Sequence, residues 1–314
     1  MSTVSFDPER TRLRRLQGVL KLRAGILHSI RRFFTEREFL EIDTPVRIPC
    51  PAAEQHIDAE RSDGWYLRTS PEFHMKRLVA SGYDRVYQIG PCFRRGEQGP
   101  LHHPEFTMLE WYRAESDYAD ILGDTKALLV RIARDVVGAT TLTYGQDEID
   151  LLPWERISIR DAYLLHAGWD PVQDYDADRF DLDMAEKIEP ALPRGVPVVL
   201  TDYPVGAGGF ARAKSDDPRV AERWELYVAG LELANAYSEL TDPAEQRERL
   251  LACGRQRSAA GKEVYAVDER FLKAIESGMP PSGGIALGVD RLVMLFANQP
   301  DLDGVVAFRE SAAP

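Results

Sequence analysis

The sequence predicts an α+β domain: a largely antiparallel sheet flanked by helices. Three observations predict it. A long amphipathic helix leads directly into a strand near the N-terminus, two strand-rich stretches follow, and a glycine-rich strand runs into an apolar helix near the C-terminus. No repeat, low-complexity tract or long linker interrupts the chain, so residues 1–314 read as a single domain.

Leu16, Leu20, Leu27, Ile30 and Phe34 recur at spacings of three, four and seven through a Pro-free, Gly-poor stretch, the pattern of one helix from about Arg10 to Glu36. Phe39 to Pro45 alternates apolar and polar residues and reads as a short strand closed by proline. From Trp65 to Arg113 strands alternate with a short helix. Thr140 to Pro193, rich in acids and prolines, reads as connecting or inserted helical structure. Strands return from Val196 to Leu240, the charged segment Pro243 to Lys262 is expected to be helical, and Gly283 to Asn298 ends the fold as strand and helix.

With 314 residues, 44% of them hydrophobic, the chain can fill a sizeable core. No run approaches the roughly eighteen apolar residues of a membrane span, and the N-terminus lacks a secretory pattern, so the cytoplasm is the expected compartment. A net charge of -12 disfavours broad wrapping of nucleic acid, which needs phosphate-neutralising cations. Residues 1–40 are locally basic, with nine Lys and Arg against four acids, a pattern common on a solvated helix face. Cys50, Cys92 and Cys253 lie outside any CxxC spacing, and no further cluster accompanies the His102–His103 pair, so neither a disulfide framework nor a structural transition metal is expected.

Four segments carry chemistry. In Phe106-Thr-Met-Leu-Glu-Trp-Tyr-Arg113 the two-residue period of a strand places Phe106, Met108, Glu110 and Tyr112 on one face. The apolar members argue against solvent, and an unpartnered Glu110 argues against plain core. A pocket wall that receives a cation satisfies both; an edge strand with Glu110 paired to an arginine is the alternative. Upstream, Gly90 to Gly99 leads to His103-Pro-Glu105, a loop in which Arg94 offers a fork suited to phosphate and Gly96 and Gly99 permit close backbone approach. A merely solvated arginine is the bland reading.

Glu232 and Glu239, seven apart, would face opposite sides of an unbroken strand. A bend near Asn235 and Ala236 would aim both into one site, where paired carboxylates beside a triphosphate suit Mg²⁺; two unrelated exposed acids are the alternative. Finally, Gly283 to Leu295 runs from a glycine strand into a helix whose first turn holds Arg291. A cation there opposes the helix macrodipole by roughly 0.3–1 kcal/mol. A bound phosphate would explain the placement, as would neutralisation by Asp290.

Together these segments resemble the class II aminoacyl-tRNA synthetases, and within them the lysyl enzymes. Leu40 to Pro45 is similar to motif 1, Phe93 to Arg113 to the strand-loop-strand of motif 2, and Gly284 to Leu295 to motif 3. Thr69 to Leu78 and Gly230 to Pro243 are similar to lysyl-specific segments, so the resemblance covers most of residues 15–310. Lysyl-tRNA synthetases carry an OB-fold anticodon-binding domain before motif 1. Only about forty residues, mostly one helix, stand there in this sequence, so no OB-fold is expected. The chain thus resembles the stand-alone paralogues that attach β-lysine or lysine to a lysine of translation elongation factor P. Glu110-Trp111-Tyr112 points the same way, as does Ala286, where the tRNA enzymes usually have Gly. The added methyl reshapes the wall beside the substrate amino group and suggests a preference for (R)-β-lysine.

The resemblance implies ATP as substrate, Mg²⁺, a homodimer joined through motif 1, and a protein acceptor rather than tRNA; no membrane partner is expected from the hydropathy. It implies that Ser70, Glu72, Tyr112 and Glu239 bind the amino acid, with Glu110 facing its side-chain ammonium. Arg94, Gly96, Glu97, His103, Phe106, Glu232, Leu233, Gly288 and Arg291 map to the ATP site, Glu232 with Glu239 to Mg²⁺, and Arg94 and Arg291 to the catalytic phosphate clamps. Two positions depart from the family pattern. Gly96 stands where motif 2 has Glu, with Glu97 one residue later, so the adenine contact falls to Glu97 or to backbone; His103 stands where Asn is usual. The implied reaction is attack of the substrate carboxylate on the α-phosphorus, release of pyrophosphate, then aminolysis of the adenylate with loss of AMP. The rival readings are a truncated enzyme that charges tRNA and an inactive regulatory paralogue, which the presence of Arg94, Arg291, Glu232 and Glu239 disfavours.

Overall fold

The computed structural model describes residues 7–309. Asp7 accepts a hydrogen bond from Arg10 N and Pro8 presets the first turn, so the opening helix runs Pro8–Thr35, starting ahead of the periodic stretch. Its stripe of Ile26, Ile30, Phe33 and Phe34 is wholly buried.

Eight strands form the main sheet, in the spatial order Leu40–Glu41, Arg85–Phe93, Glu105–Ala114, Ser282–Gly288, Leu231–Ser238, Val220–Val228, Val198–Pro204, Glu155–Ser158. The six central strands are antiparallel and a parallel strand closes each edge. Of the strand expected over Phe39–Pro45, only Leu40–Glu41 pairs. Beyond it Thr44 N donates to the Gln88 side chain, and the ladder ends before Pro45.

The expectation for Thr140–Pro193 also needs correction. That stretch begins with a hairpin, Thr141–Tyr144 against Asp147–Asp150, and the edge strand Glu155–Ser158. Helices Ile159–His166 and Ala177–Asp183 follow. Four-residue strands around the positive-φ turn at Gly145 are too short to show a two-residue period. The other expected elements appear, as helix Pro243–Ala259, strand Ser282–Gly288 and helix Val289–Ala297.

The sheet has two working faces. Along Glu105–Ala114, Leu109 and Trp111 are fully buried in a core shared with the helices Pro8–Thr35, Tyr118–Val136 and Val289–Ala297. Met108, Glu110 and Tyr112 alternate with them and line a cavity on the opposite face. A second core packs helices Glu72–Val79 and Glu269–Glu276 beside that cavity, with Phe73 stacked on Phe271 at 4.1 Å. The cavity floor is therefore a rigid antiparallel sheet.

Candidate active site

The cavity, about 330 Å³, has the size of a small-ligand site. Of the site residues expected from sequence, Ser70, Glu72, Arg94, Glu97, His103, Phe106, Glu110, Tyr112, Glu232, Leu233, Glu239, Gly288 and Arg291 all line it. Gly96 does not. With φ 80° it makes the turn that sets Arg94 and Glu97 on either side, a conformation glycine adopts without strain.

At one end Glu110 is 1% exposed and is met by two hydroxyls, Ser70 Oγ donating at 2.6 Å and Tyr112 OH at 3.0 Å. Its strand is interior and its partners are neutral, which excludes the edge strand with an arginine partner. Burial pushes Glu110 up to about 8, against the pull of the Ser70 hydrogen bond. Beside it Lys76, fully buried, bridges Glu72 and Glu239, with Nζ 2.5 Å from Glu239 Oε2. Burial works against the Lys76 ammonium, yet Glu239 and Glu72 overcome it and raise its pKa. Burial likewise pushes Glu239 up to about 7, opposed by Lys76. Glu239 Oε1 is buried without a hydrogen-bond donor. Gly284 permits this closeness, because a Cβ there would collide with Glu239 Oε1 and the Tyr112 ring. Glu72 and Glu239 hold the one ammonium and Glu110 stands in the same pocket end, so the fully ionised pocket carries an excess of negative charge.

Glu232 and Glu239 reach one cavity through a bend that lies earlier than expected. Tyr227 pairs with Glu232 and Leu226 with Ala234, leaving Leu233 as an extra residue. This bulge, rather than a bend at Asn235–Ala236, shifts the side-chain phase and places Glu232 on the cavity side with Asn235, Tyr237 and Glu239.

The other end holds the arginines. Arg291 donates to Glu232 O at 2.9 Å, Glu232 Oε2 at 3.2 Å, Leu101 O at 3.2 Å and His102 Nε2 at 2.7 Å. Asp290 is not its neutralising partner. Asp290 pairs with Arg23 at 2.6 Å and accepts from Thr107 N at 2.8 Å. Arg94 lies 5.2 Å from the Phe106 ring centroid and 3.8 Å from Glu97 Oε2. Burial and then neighbouring Glu225 raise the pKa of Glu232, while burial and then Arg291 lower that of His102.

Sequence reasoning missed Lys76, His102, Glu54, Arg223, Glu225, Asn235 and Tyr237, all of which either line the cavity or pair with residues that do. Lys76 was within sight, since it stands four residues after Glu72 on the helix Glu72–Val79.

Among the described residues no group of three or more His, Cys, Asp or Glu side chains gathers as a metal site. The residues nevertheless suit a partly hydrated Mg²⁺: Glu239 offers an orphaned buried oxygen and Glu232 a carboxylate that is 43% exposed.

The family model for class II tRNA synthetases (D, K and N) matches residues 9–312. The chain belongs to this family and is an ATP-dependent amino-acid ligase on a class II catalytic domain. It is similar to the elongation factor P–(R)-β-lysine ligase of Hamiltonella defensa, 39% identical over 311 residues that cover 93% of this chain and 95% of that relative. It is also similar to the lysine–tRNA ligases of Moorella thermoacetica (37% identical, 93% of this chain and 65% of the relative) and Bacillus subtilis (36%, 91% and 62%). The chain thus spans just under two thirds of the length of those tRNA ligases. Among the described residues no helix is long and apolar enough to cross a membrane.

Proposed function

We propose that this chain activates (R)-β-lysine, or lysine, as its adenylate and transfers it to the ε-amine of a lysine on translation elongation factor P. One observation carries the choice of amino acid. Glu72, Glu110 and Glu239 converge on a pocket end where, among the described residues, Lys76 is the only ammonium, and a diamino acid brings positive charge that this end lacks. The relative from Hamiltonella defensa, matched over nearly its whole length, supports the acceptor. Ala286, which lines the cavity opposite Glu110 in the sheet, supports the β-isomer by narrowing the wall at the substrate amino group.

In this reading Arg94 and Arg291 hold the phosphates, and Phe106, Glu97, His103, Leu233 and Gly288 shape the nucleotide end. Arg291 is steadied by Leu101, His102 and Glu232, so its charge is positioned before the substrate arrives. Mg²⁺, held by Glu232 and Glu239, would draw charge from the phosphates when bound. The exposed apolar Leu40 and Val46 support a homodimer through motif 1, and the translation-related relatives support the cytoplasm as its setting. Charging of tRNA is the second reading, favoured by the match to lysine–tRNA ligases and disfavoured by the net charge of -12.

The test is ATP–pyrophosphate exchange with (R)-β-lysine, lysine and norleucine. Exchange driven by the two diamino acids and not by norleucine is expected. Equal exchange with norleucine, which has one ammonium, contradicts the charge argument.

A further inference from the structure

We propose that Glu54 is the general base of the acyl-transfer step, taking a proton from the incoming acceptor amine. The inference rests on the amine-transfer reading above and assigns a residue that none of the three motifs contains. Glu54 lines the cavity, half-buried, and its carboxylate has no ion-pair or hydrogen-bond partner among the described residues. The same cavity is lined by Arg94 and Glu97 of the nucleotide end and by Glu72 and Glu110 of the amino-acid end. The groups that act on its charge are Arg94 at the nucleotide end and Glu72 at the amino-acid end, together with Arg223 and Glu97. The acyl–phosphate bond of an adenylate joins those same two ends, so a carboxylate in this cavity is available to an amine that attacks the carbonyl there. Burial, with Glu72 and Glu97, raises its pKa against Arg94 and Arg223, which makes the carboxylate a better proton acceptor.

The backbone that presents Glu54 is pinned. Arg257, fully buried, donates to the carbonyls of Glu54 at 2.7 Å and Ile57 at 2.8 Å and to the Asp58 carboxylate at 2.6 Å. Lys262 donates to the Gln55 and His56 carbonyls, and Arg95 N to Asp58 O at 2.7 Å. A base needs such fixed placement to act within hydrogen-bond reach of its proton.

The acceptor ε-ammonium gives one proton to the Glu54 carboxylate, which becomes the acid. The freed nitrogen lone pair forms the C–N bond at the adenylate carbonyl. The C–O bond to the α-phosphate breaks, and AMP leaves with that electron pair. The second proton lost by the nitrogen as the amide forms departs on the AMP phosphate, and Glu54 returns its proton to water.

Glu54→Gln keeps the shape and removes the base. With ATP, (R)-β-lysine and elongation factor P, two rates are compared: pyrophosphate exchange, and single-turnover transfer from preformed adenylate. Transfer should fall at least about 10²-fold further than exchange, and should recover as pH rises towards the free-amine range near about 10. Transfer that falls no further than exchange overturns the assignment, as does a raised amino-acid KM that accounts for the whole loss. If the wild type exchanges pyrophosphate but transfers nothing to elongation factor P, the acceptor assignment fails instead. The same pair of rates with n-butylamine as acceptor then decides the role of Glu54.

Discussion

Lys76 Nζ stands 2.5 Å from Glu239 Oε2, with both side chains closed to solvent. Lys76 also holds Glu72, one turn earlier on its own helix, so one buried ammonium anchors two of the three carboxylates at the amino-acid end. Breaking such a pair on one side leaves uncompensated buried charge. Lys76→Met should therefore cost about 3–5 kcal/mol of stability, read from urea denaturation. Adding Glu239→Gln should restore part of the loss. An unchanged midpoint in Lys76→Met would show that the pair contributes nothing.

Glu110 and Glu239 give the enzyme a pH signature. Burial raises both, to about 8 and about 7, so the folded protein holds protons that the unfolded chain has released. Their contribution to stability is fully present below the unfolded carboxyl range near pH 4.5 and is lost as pH rises through 7 to 8. A substrate ammonium favours the ionised Glu110, so the affinity of the free enzyme for a diamino acid should rise up to about pH 8. Calorimetry in buffers of different ionisation heat should show proton release on amino-acid binding at pH 7, reduced in Glu110→Gln. Binding without proton release would contradict the raised pKa.

Arg291 sits in the first turn of its helix, against the macrodipole, and is held by Glu232, Leu101 and His102. As a phosphate clamp, its loss in Arg291→Ala should cut pyrophosphate exchange by at least about 10²-fold, the scale for one transition-state electrostatic partner. Normal exchange in that variant would remove Arg291 from the mechanism.

Ala286 lies across from Glu110 on one neighbouring strand and from Asn235 on the other. Ala286→Gly widens the wall there and should shift the ratio of kcat/KM values towards lysine and away from (R)-β-lysine. Deleting one methyl from a pocket changes discrimination by about 1–3 kcal/mol, so a shift of at least about tenfold is expected in pyrophosphate exchange. An unchanged ratio would place the origin of isomer preference elsewhere.

What could be read from sequence was what a period or a local motif carries. The alternation of Phe106, Met108, Glu110 and Tyr112 survives intact, because a strand interior to the sheet enforces it. The helix-turn position of Arg291 survives because strand and helix are contiguous. The bend between Glu232 and Glu239 was legible as a need, but its place was not: the bulge at Leu233 is set by pairing with Leu226 and Tyr227, which no local pattern reports. Lys76 looked like an ordinary helix cation, and only the fold brings Glu239 onto it. Glu54 was invisible for a similar reason, since it reaches the cavity from an irregular segment pinned by Arg257, about two hundred residues away.

The most direct test of the central claim is to incubate the enzyme with ATP and (R)-β-lysine in the presence of either elongation factor P or lysine-accepting tRNA, and to weigh each macromolecule by mass spectrometry. Elongation factor P is expected to gain one β-lysyl group on a lysine side chain and the tRNA nothing. Charged tRNA with unmodified elongation factor P would contradict it.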